Sequence, residues 1–129
     1  MTPTRIALSK QHNQLTIEYS DNSRYLLPAE YLRVHSPSAE VRGHGKGQEV
    51  LQYGKQDVVI DNLEKSGHYA LRITFSDGHD SGLYSWDYLY DLCKNHDHYW
   101  QLYLQKLHNE GKARDNGVQI IQLVDPGKD

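Results

Sequence analysis

Alternating apolar and polar residues predict three short strands in the N-terminal part of the chain. Their ranges are 4–8, 14–19 and 24–27. In the second strand Leu15, Ile17 and Tyr19 share one face, which indicates one buried side and one solvated side. A run of turn-forming residues joins the second strand to the third as an antiparallel hairpin. Pro28 ends this hairpin, because it has no N–H to donate to a ladder, and begins a short helical turn over residues 28–33.

The clearest strand pattern lies in the middle of the chain, at residues 68–75. These residues alternate over their whole length, and the predicted core-facing side carries Tyr69, Leu71, Ile73 and Phe75. Before them, the pattern predicts a short strand at 58–60 and a polar connector at 61–67. After them, the Asp77-Gly78 dipeptide predicts a turn, and residues 83–84 are expected to pair back onto the central strand.

Helical spacing of apolar residues begins at Trp86 and continues to Leu107. A polar run at 95–98 interrupts it, so two helices are predicted, 86–94 and 98–110, with one kinked helix as the alternative. Ser85 is the expected N-cap of the first helix, Asp97 caps the second, and Gly111 ends it. The tail contains one ordered candidate, residues 118–124, either a late edge strand or an extended segment packed on the sheet.

These elements predict a single α+β domain. Its core would be an antiparallel sheet of about five or six strands, with the C-terminal helices packed on one face. We expect the domain to occupy residues 1–110 and the C-terminal extension, 111–129, to be partly disordered. Residues 35–56 show little periodicity and are predicted to form a long loop. Such a loop in a small domain is usually functional or disordered.

Composition narrows the function classes. The net charge of −3 gives no attraction to nucleic acid or to anionic membrane surfaces. The single cysteine, Cys93, rules out an intramolecular disulfide and a site built from cysteines alone. No signal-peptide pattern and no membrane-spanning apolar run are present, so a cytoplasmic location is expected. The ten tyrosines are expected to line the rim of a thin core, which fits a monomer or a weak homodimer.

Two sequence blocks carry a resemblance to a known family. They are Tyr31-Leu-Arg-Val-His-Ser-Pro-Ser-Ala-Glu-Val41 and Phe75-Ser-Asp-Gly-His-Asp-Ser-Gly-Leu-Tyr-Ser-Trp-Asp-Tyr-Leu89. Together they resemble the small domain that precedes the catalytic domain of gamma-butyrobetaine hydroxylase, known in bacteria as the free-standing family DUF971. The resemblance covers roughly residues 5–110. It implies an accessory domain, because the facial triad that a 2-oxoglutarate oxygenase needs is absent here.

The resemblance also implies a structural zinc site that this chain has altered. In the hydroxylase the zinc is held by three cysteines and one histidine. The matching positions here are Ser36, Ser38, Val41 and His79. Serine hydroxyls and valine cannot replace thiolates, so loss of that zinc is expected. Relatives are also attached to Mrp-type iron–sulfur carrier ATPases, which implies a protein partner of that kind, or else a separate oxygenase domain.

Several candidate sites remain open on the sequence alone. His79 is either a metal ligand or partner contact, or a turn histidine that bonds a backbone carbonyl or Asp77. His35 and His44 would join it in an iron or zinc site if the long loop folds over the turn. The predicted partner-binding surface comprises Arg33, Ser36, Ser38, Glu40, Asp77, His79, Tyr84 and Trp86.

Other chemistry-bearing residues have simpler interpretations. Cys93, His96 and Asp97 would share one face of a continuous helix as an exposed soft-metal site, but Cys93 also falls on the apolar stripe, where it acts as a small hydrophobe. The adjacent pair His35 and Ser36 is a poor nucleophile and base. The glycine-rich run 43–47 lacks a complete phosphate-binding motif.

We therefore expect a non-catalytic binding module, without an assigned catalytic residue or certain cofactor. The resemblance implies a link to iron or iron–sulfur protein metabolism. The alternatives are a subunit that completes an oxygenase encoded on a separate chain, and a purely structural domain.

Overall fold

The computed structural model describes residues 1–43, 45 and 47–115. Within them the strands are β1 (Arg5–Leu8), β2 (Gln14–Glu18), β3 (Arg24–Pro28), β4 (Ile60–Ser66), β5 (Ala70–Phe75) and β6 (Leu83–Ser85). The helices are α1 (Ala29–Val34), α2 (Ala39–Arg42), α3 (Trp86–Lys94) and α4 (His96–Glu110). The predicted α+β class is thus confirmed. None of the helices in this described part is long and apolar enough to cross a membrane.

The strands form two antiparallel sheets rather than one. The first sheet has the order β1-β2-β3 and the second has the order β4-β5-β6. The β1–β2 turn contacts β4, because the Ile60 amide donates to the His12 carbonyl and His12 Nδ1 is hydrogen-bonded to the Ile60 carbonyl, each at 2.8 Å. His12 has a φ of 61°, a left-handed conformation that is uncommon outside glycine. The prediction of a single sheet was wrong because alternation along each strand does not specify which strands pair.

Residues 61–67 were predicted to be a connector, and this prediction was wrong. β4 covers most of that segment and pairs with β5 from Ile60↔Phe75 to Ser66↔Ala70, with a register shift between Ile60 and Asn62. β4 is an edge strand with many exposed polar residues, which protects its free edge from further pairing. Because most residues of β4 are polar, its sequence lacks the alternation of apolar and polar residues by which a strand is recognised.

β5 forms the centre of the second sheet, as predicted, but it begins later than expected. Leu71, Ile73 and Phe75 are buried, whereas Tyr69 lies before the strand and is 72% exposed. The predicted return strand is confirmed, since β6 pairs with β5 at Leu71↔Tyr84.

The helix ends follow local capping chemistry for the most part. Ser85 caps α3, because its Oγ accepts from the Tyr88 amide at 3.2 Å. Gly111 ends α4 in the left-handed conformation, as predicted. α4 begins at His96 after Asn95, so the prediction that Asp97 caps this helix was wrong. Helix α2 lies inside the segment that was predicted to be a loop.

Helix α3 joins the two sheets into one core. It contacts β3 of the first sheet and β6 of the second. The shared core contains Leu15, Ile17, Leu27, Ile60, Ile73, Phe75, Tyr84, Leu89 and Leu92. A smaller cluster of Val34, Tyr103 and Leu107 holds α4 against the end of α1.

The described chain continues past α4 through a short ordered segment, 111–115. The Gly54 amide donates to the Ala113 carbonyl at 3.0 Å. The Arg114 guanidinium makes two hydrogen bonds to the buried Glu30 carboxylate, at 2.9 and 2.6 Å. The domain boundary at residue 110 stays a prediction, and the predicted segment 118–124 lies outside the described residues.

Candidate functional site

The two sequence blocks meet at one corner of the molecule, which we call the His79 corner. It consists of the α1–α2 connection, residues 35–38, and the β5–β6 turn, residues 76–82. Gly78 has a φ of 87°, which lets the turn close so that the Phe75 amide donates to the His79 carbonyl at 2.9 Å. Gly82 serves a different purpose, because a Cβ atom there would overlap Ser36 Oγ. Glycine therefore allows the turn to contact the α1–α2 connection directly.

The His79 side chain is the centre of this corner and is 4% exposed. Its Nδ1 lies 3.5 Å from a Glu40 carboxylate oxygen, which can only accept, and from this proximity we assign the ring proton to Nδ1. Nε2 then accepts from the Ser36 hydroxyl at 2.8 Å, with the Ser38 hydroxyl at 3.4 Å. Burial, together with the nearby Arg33 guanidinium, lowers the pKa of His79 and favours the neutral ring.

A second polar group lies beside it, formed by Arg33, Lys55 and Asp77. Arg33 Nε and Lys55 Nζ donate to the same Asp77 oxygen, Oδ2, at 2.8 and 2.6 Å. The Arg33 side chain is only 8% exposed. Burial alone would raise the pKa of Asp77, but the hydrogen bond from Lys55, the His79 amide and the Arg33 charge lower it to about 2. Asp77 is therefore an ionised anchor for two cations over the whole physiological pH range.

Buried tyrosines complete the packing around the end of α1. The Tyr84 hydroxyl donates to the Leu32 carbonyl at 2.6 Å. The Tyr88 hydroxyl donates to the His35 carbonyl at 2.6 Å. These bonds satisfy carbonyls that the end of a helix leaves without partners. Trp86 lies outside the corner, since its indole N–H donates to the His68 carbonyl at 2.7 Å.

The residues at the corner do not fit a zinc or iron site. The side chains at the relevant positions offer one imidazole, two neutral hydroxyls and the apolar Val41. The only lone pair of neutral His79, on Nε2, already accepts from Ser36. Among the described residues, no group of three or more His, Cys, Asp or Glu side chains is arranged to hold a metal ion.

The structure places the other two metal candidates elsewhere. His35 Nδ1 donates to the Tyr31 carbonyl at 2.8 Å, and its ring packs 4.7 Å from the Tyr31 ring. His44 lies outside the described residues. The described part of the chain therefore does not join His35 to His79.

Ser36, His79 and Glu40 follow the order of a nucleophile, a base and an orienting carboxylate, which the sequence did not reveal. A nucleophilic serine must meet a substrate carbonyl. Ser36, however, is 1% exposed and packs against Gly82. Its hydroxyl also accepts from the Ser38 amide at 3.3 Å. The geometry thus supports a structural hydrogen-bond cluster.

Cys93 belongs to the core, as predicted from its position on the apolar stripe of the helix. It is 3% exposed, and burial raises the pKa of its thiol to about 11. An exposed soft-metal site with His96 and Asp97 is therefore wrong. The His96 ring instead packs 4.2 Å from the Tyr31 ring.

An open groove lies beside the corner, and we call it the α4 groove. Its volume is about 1090 Å³. The central lining residues are Val41, Arg42 and Val50 on one wall, and Tyr99, Leu102 and Tyr103 on the other. Val50 and Leu102 are 52% and 47% exposed. The groove therefore presents apolar side chains to solvent.

The tyrosines that line the groove have their hydroxyls committed to the protein itself. Tyr103 donates to the Gln52 carbonyl and Tyr99 to an Asp91 carboxylate oxygen, each at 2.7 Å. A ligand in the groove would therefore contact the rings of these tyrosines, because their hydroxyls are already hydrogen-bonded within the protein. The sequence predicts that tyrosines line the rim of the core. Tyr88 and Tyr99 are partly buried in agreement with this, whereas Tyr103 is 5% exposed and belongs to the smaller core cluster.

Sequence reasoning found the residues of the corner but missed Lys55 and the groove. Lys55 stands in an aperiodic segment and has no local signal. For the groove a signal existed, because Tyr99, Leu102, Tyr103 and Lys106 follow helical i, i+3, i+4, i+7 spacing. Tyr103 also belongs to the stripe that packs on the core, and the other three residues lie beside that stripe.

Comparison with known proteins agrees with this fold. A family model described as gamma-butyrobetaine hydroxylase-like, N-terminal, matches residues 6–90. One NMR solution structure shares 49% identity and a TM-score of 0.79, and covers 96% of this chain and 98% of its own. A second shares 40% identity and a TM-score of 0.75, with coverage of 96% and 91%.

A crystal structure at 1.93 Å resolution is also similar. It is of a protein of unknown function of the DUF971 family from Acidithiobacillus ferrooxidans ATCC 23270. It shares 30% identity and a TM-score of 0.58, and covers 70% of this chain and 91% of its own. No functionally curated protein matches the chain.

Proposed function

This chain belongs to the family of gamma-butyrobetaine hydroxylase-like N-terminal domains, also named DUF971, and from that premise we propose that it is a non-catalytic module that binds a protein partner. The α4 groove is the proposed binding surface. The His79 corner holds one wall of the groove in place, because Ser36 lines the groove and bonds His79, and helix α2, which also lines the groove, carries Glu40 beside His79.

The exposed apolar lining of the groove is the observation that carries this proposal. Burying an exposed leucine or valine side chain contributes about 1.5–3 kcal/mol. Val50 and Leu102 are large apolar residues that the free chain leaves about half exposed. The volume of about 1090 Å³ is slightly larger than that of most small-molecule pockets, and the open shape suits a peptide segment. The expected occupant therefore presents apolar side chains to the floor of the groove.

The predicted partner-binding residues would then act in two ways. Arg33, Ser36, Ser38, His79 and Tyr84 are buried, so they would support the surface. Glu40 and Asp77 are accessible at the edge of the corner and would contact the partner directly. A direct role for Trp86 has less support, because its N–H is bonded on the other side of β6.

A non-catalytic role has two supports in the described residues. The only serine beside a histidine and a carboxylate in the corner is buried, and the side chains needed for a metal centre do not converge. By analogy with the family, an Mrp-type iron–sulfur carrier and a separate oxygenase domain are the first partners to test. A link to iron–sulfur metabolism would follow from the first of these.

The test is an affinity purification with three versions of the chain. Leu102→Lys places a charge in the groove, at a residue that is 47% exposed and tolerates lysine in a helix. Leu26→Lys makes the same charge change at a residue of β3 that is 50% exposed and outside the groove. We expect that partner proteins will be retained by the wild type and by Leu26→Lys, and that Leu102→Lys will not retain them.

Each such protein is then purified and titrated against the three versions by calorimetry. A loss of at least about tenfold in affinity for Leu102→Lys alone, which is about 1.4 kcal/mol, supports the groove. Equal affinities for all three versions would place the binding surface elsewhere. If no purified candidate binds directly, the proposed function itself fails.

A further inference from the structure

The geometry of the His79 corner leads beyond the proposed binding role. Three elements meet there, and none of them carries a cysteine. The α1–α2 connection supplies Ser36 and Ser38, helix α2 supplies Glu40, and the β5–β6 turn supplies His79. Among the described residues, no fully buried side-chain nitrogen or oxygen atom lacks a hydrogen-bond partner.

We infer that the corner is closed by a metal-independent hydrogen-bond cluster, in which neutral His79 with its proton on Nδ1 ties helix α2 to the β5–β6 turn. Nδ1 lies 3.5 Å from a Glu40 carboxylate oxygen, and Nε2 is hydrogen-bonded to the hydroxyl of Ser36 at 2.8 Å. The cluster holds these elements together, as a bound metal ion would in a corner with thiolate ligands. His79 is thus a positioning residue.

Two physical arguments oppose a metal ion at this point. A cation bound to Nε2 would displace the Ser36 proton and leave that buried hydroxyl to find another acceptor. Burial and the positive charges of Arg33 and Lys55 also disfavour a positive charge at His79. They outweigh the opposite effect of the Glu40 and Asp77 carboxylates, so that the pKa of His79 is lowered.

The test on the wild-type protein measures the imidazole ¹⁵N shifts of His79 by NMR at pH 7.5. Spectra are recorded in EDTA and then with an equimolar amount of Zn²⁺ or Fe²⁺. We expect a protonated Nδ1 and an unprotonated Nε2 in every sample, and the same thermal unfolding midpoint with and without metal. A shift of Nε2 together with a higher midpoint in Zn²⁺ or Fe²⁺ would overturn the inference.

Serine variants test whether the hydrogen-bond cluster, and not the surrounding turn, holds helix α2 in place. Ser36→Ala removes the donor to Nε2, and we expect about five- to tenfold faster exchange of the α2 amides, the effect of losing one net hydrogen bond. Ser81→Ala changes an exposed serine of the same turn and should leave exchange unaltered. Equal exchange in the two variants would refute the role of the cluster. Ser36→Cys/Ser38→Cys supplies two thiolates beside the ring and is the positive control for a metal response.

Discussion

Replacing Asp77 with asparagine provides the sharpest test of the electrostatics of the corner. Asp77→Asn keeps the shape of the side chain but removes the charge that Arg33 and Lys55 share. The folded protein lowers the pKa of Asp77 from 3.8 to about 2. A shift of one pKa unit corresponds to about 1.36 kcal/mol, so the ionised carboxylate contributes about 2 kcal/mol to stability at neutral pH. Arg33, which is 8% exposed, would also lose its counterion.

The pH dependence follows from the sign of this shift. The pKa of Asp77 is lower in the folded than in the unfolded state, so its contribution is complete well above pH 4 and declines as the pH falls towards 2. Roughly half of it is lost at pH 3 by this relation. The difference in stability between wild type and Asp77→Asn should therefore shrink by about 1 kcal/mol between pH 7 and pH 3.

Urea unfolding followed by tryptophan fluorescence measures both effects. Asp80→Asn is the matched control, because Asp80 lies in the same turn but its pair with Arg72, at 3.3 Å, is about half exposed on both sides. Exposed pairs contribute about 0–1 kcal/mol, so this variant should change stability little at either pH. A loss below about 0.5 kcal/mol for Asp77→Asn at pH 7, or equal losses at pH 7 and pH 3, would refute the reasoning.

Three further predictions test packing elsewhere. Gly82→Ala should lower the free energy of unfolding by about 1–3 kcal/mol, because the new Cβ overlaps Ser36 Oγ; wild-type stability in urea would contradict this close approach. Arg114→Ala should cost about 2–3 kcal/mol by leaving the Glu30 carboxylate buried and unpaired, and Arg114→Ala/Glu30→Gln should recover part of it; no recovery would contradict the pairing. Cys93 should resist iodoacetamide at pH 8 in the native protein and react in urea, because burial raises the pKa of its thiol to about 11; rapid native labelling would contradict its place in the core.

The sequence predicted those elements whose signals are local. Alternation identified β2, β3 and β5, and the serine and glycine rules identified the start of α3 and the end of α4. It failed for β4, where an exposed edge strand carries charges in place of alternation. The start of α4 was also missed, because the polar run at 95–98 resembles a linker although its residues continue the helix.

The same distinction between local and long-range signals applies to the candidate site. The sequence by itself selected the two blocks, their glycine turn, His79 and the serines, because these residues stand close together in motifs. Only the tertiary structure decided that Ser36 occupies the lone pair of His79, that Lys55 joins Asp77, and that α4 and the 49–52 segment enclose a groove. These contacts join residues between 22 and 51 positions apart, and no local pattern encodes such a contact. Their free energy comes from burial and from shared charges, which exist only after the two sheets and α3 have formed one core.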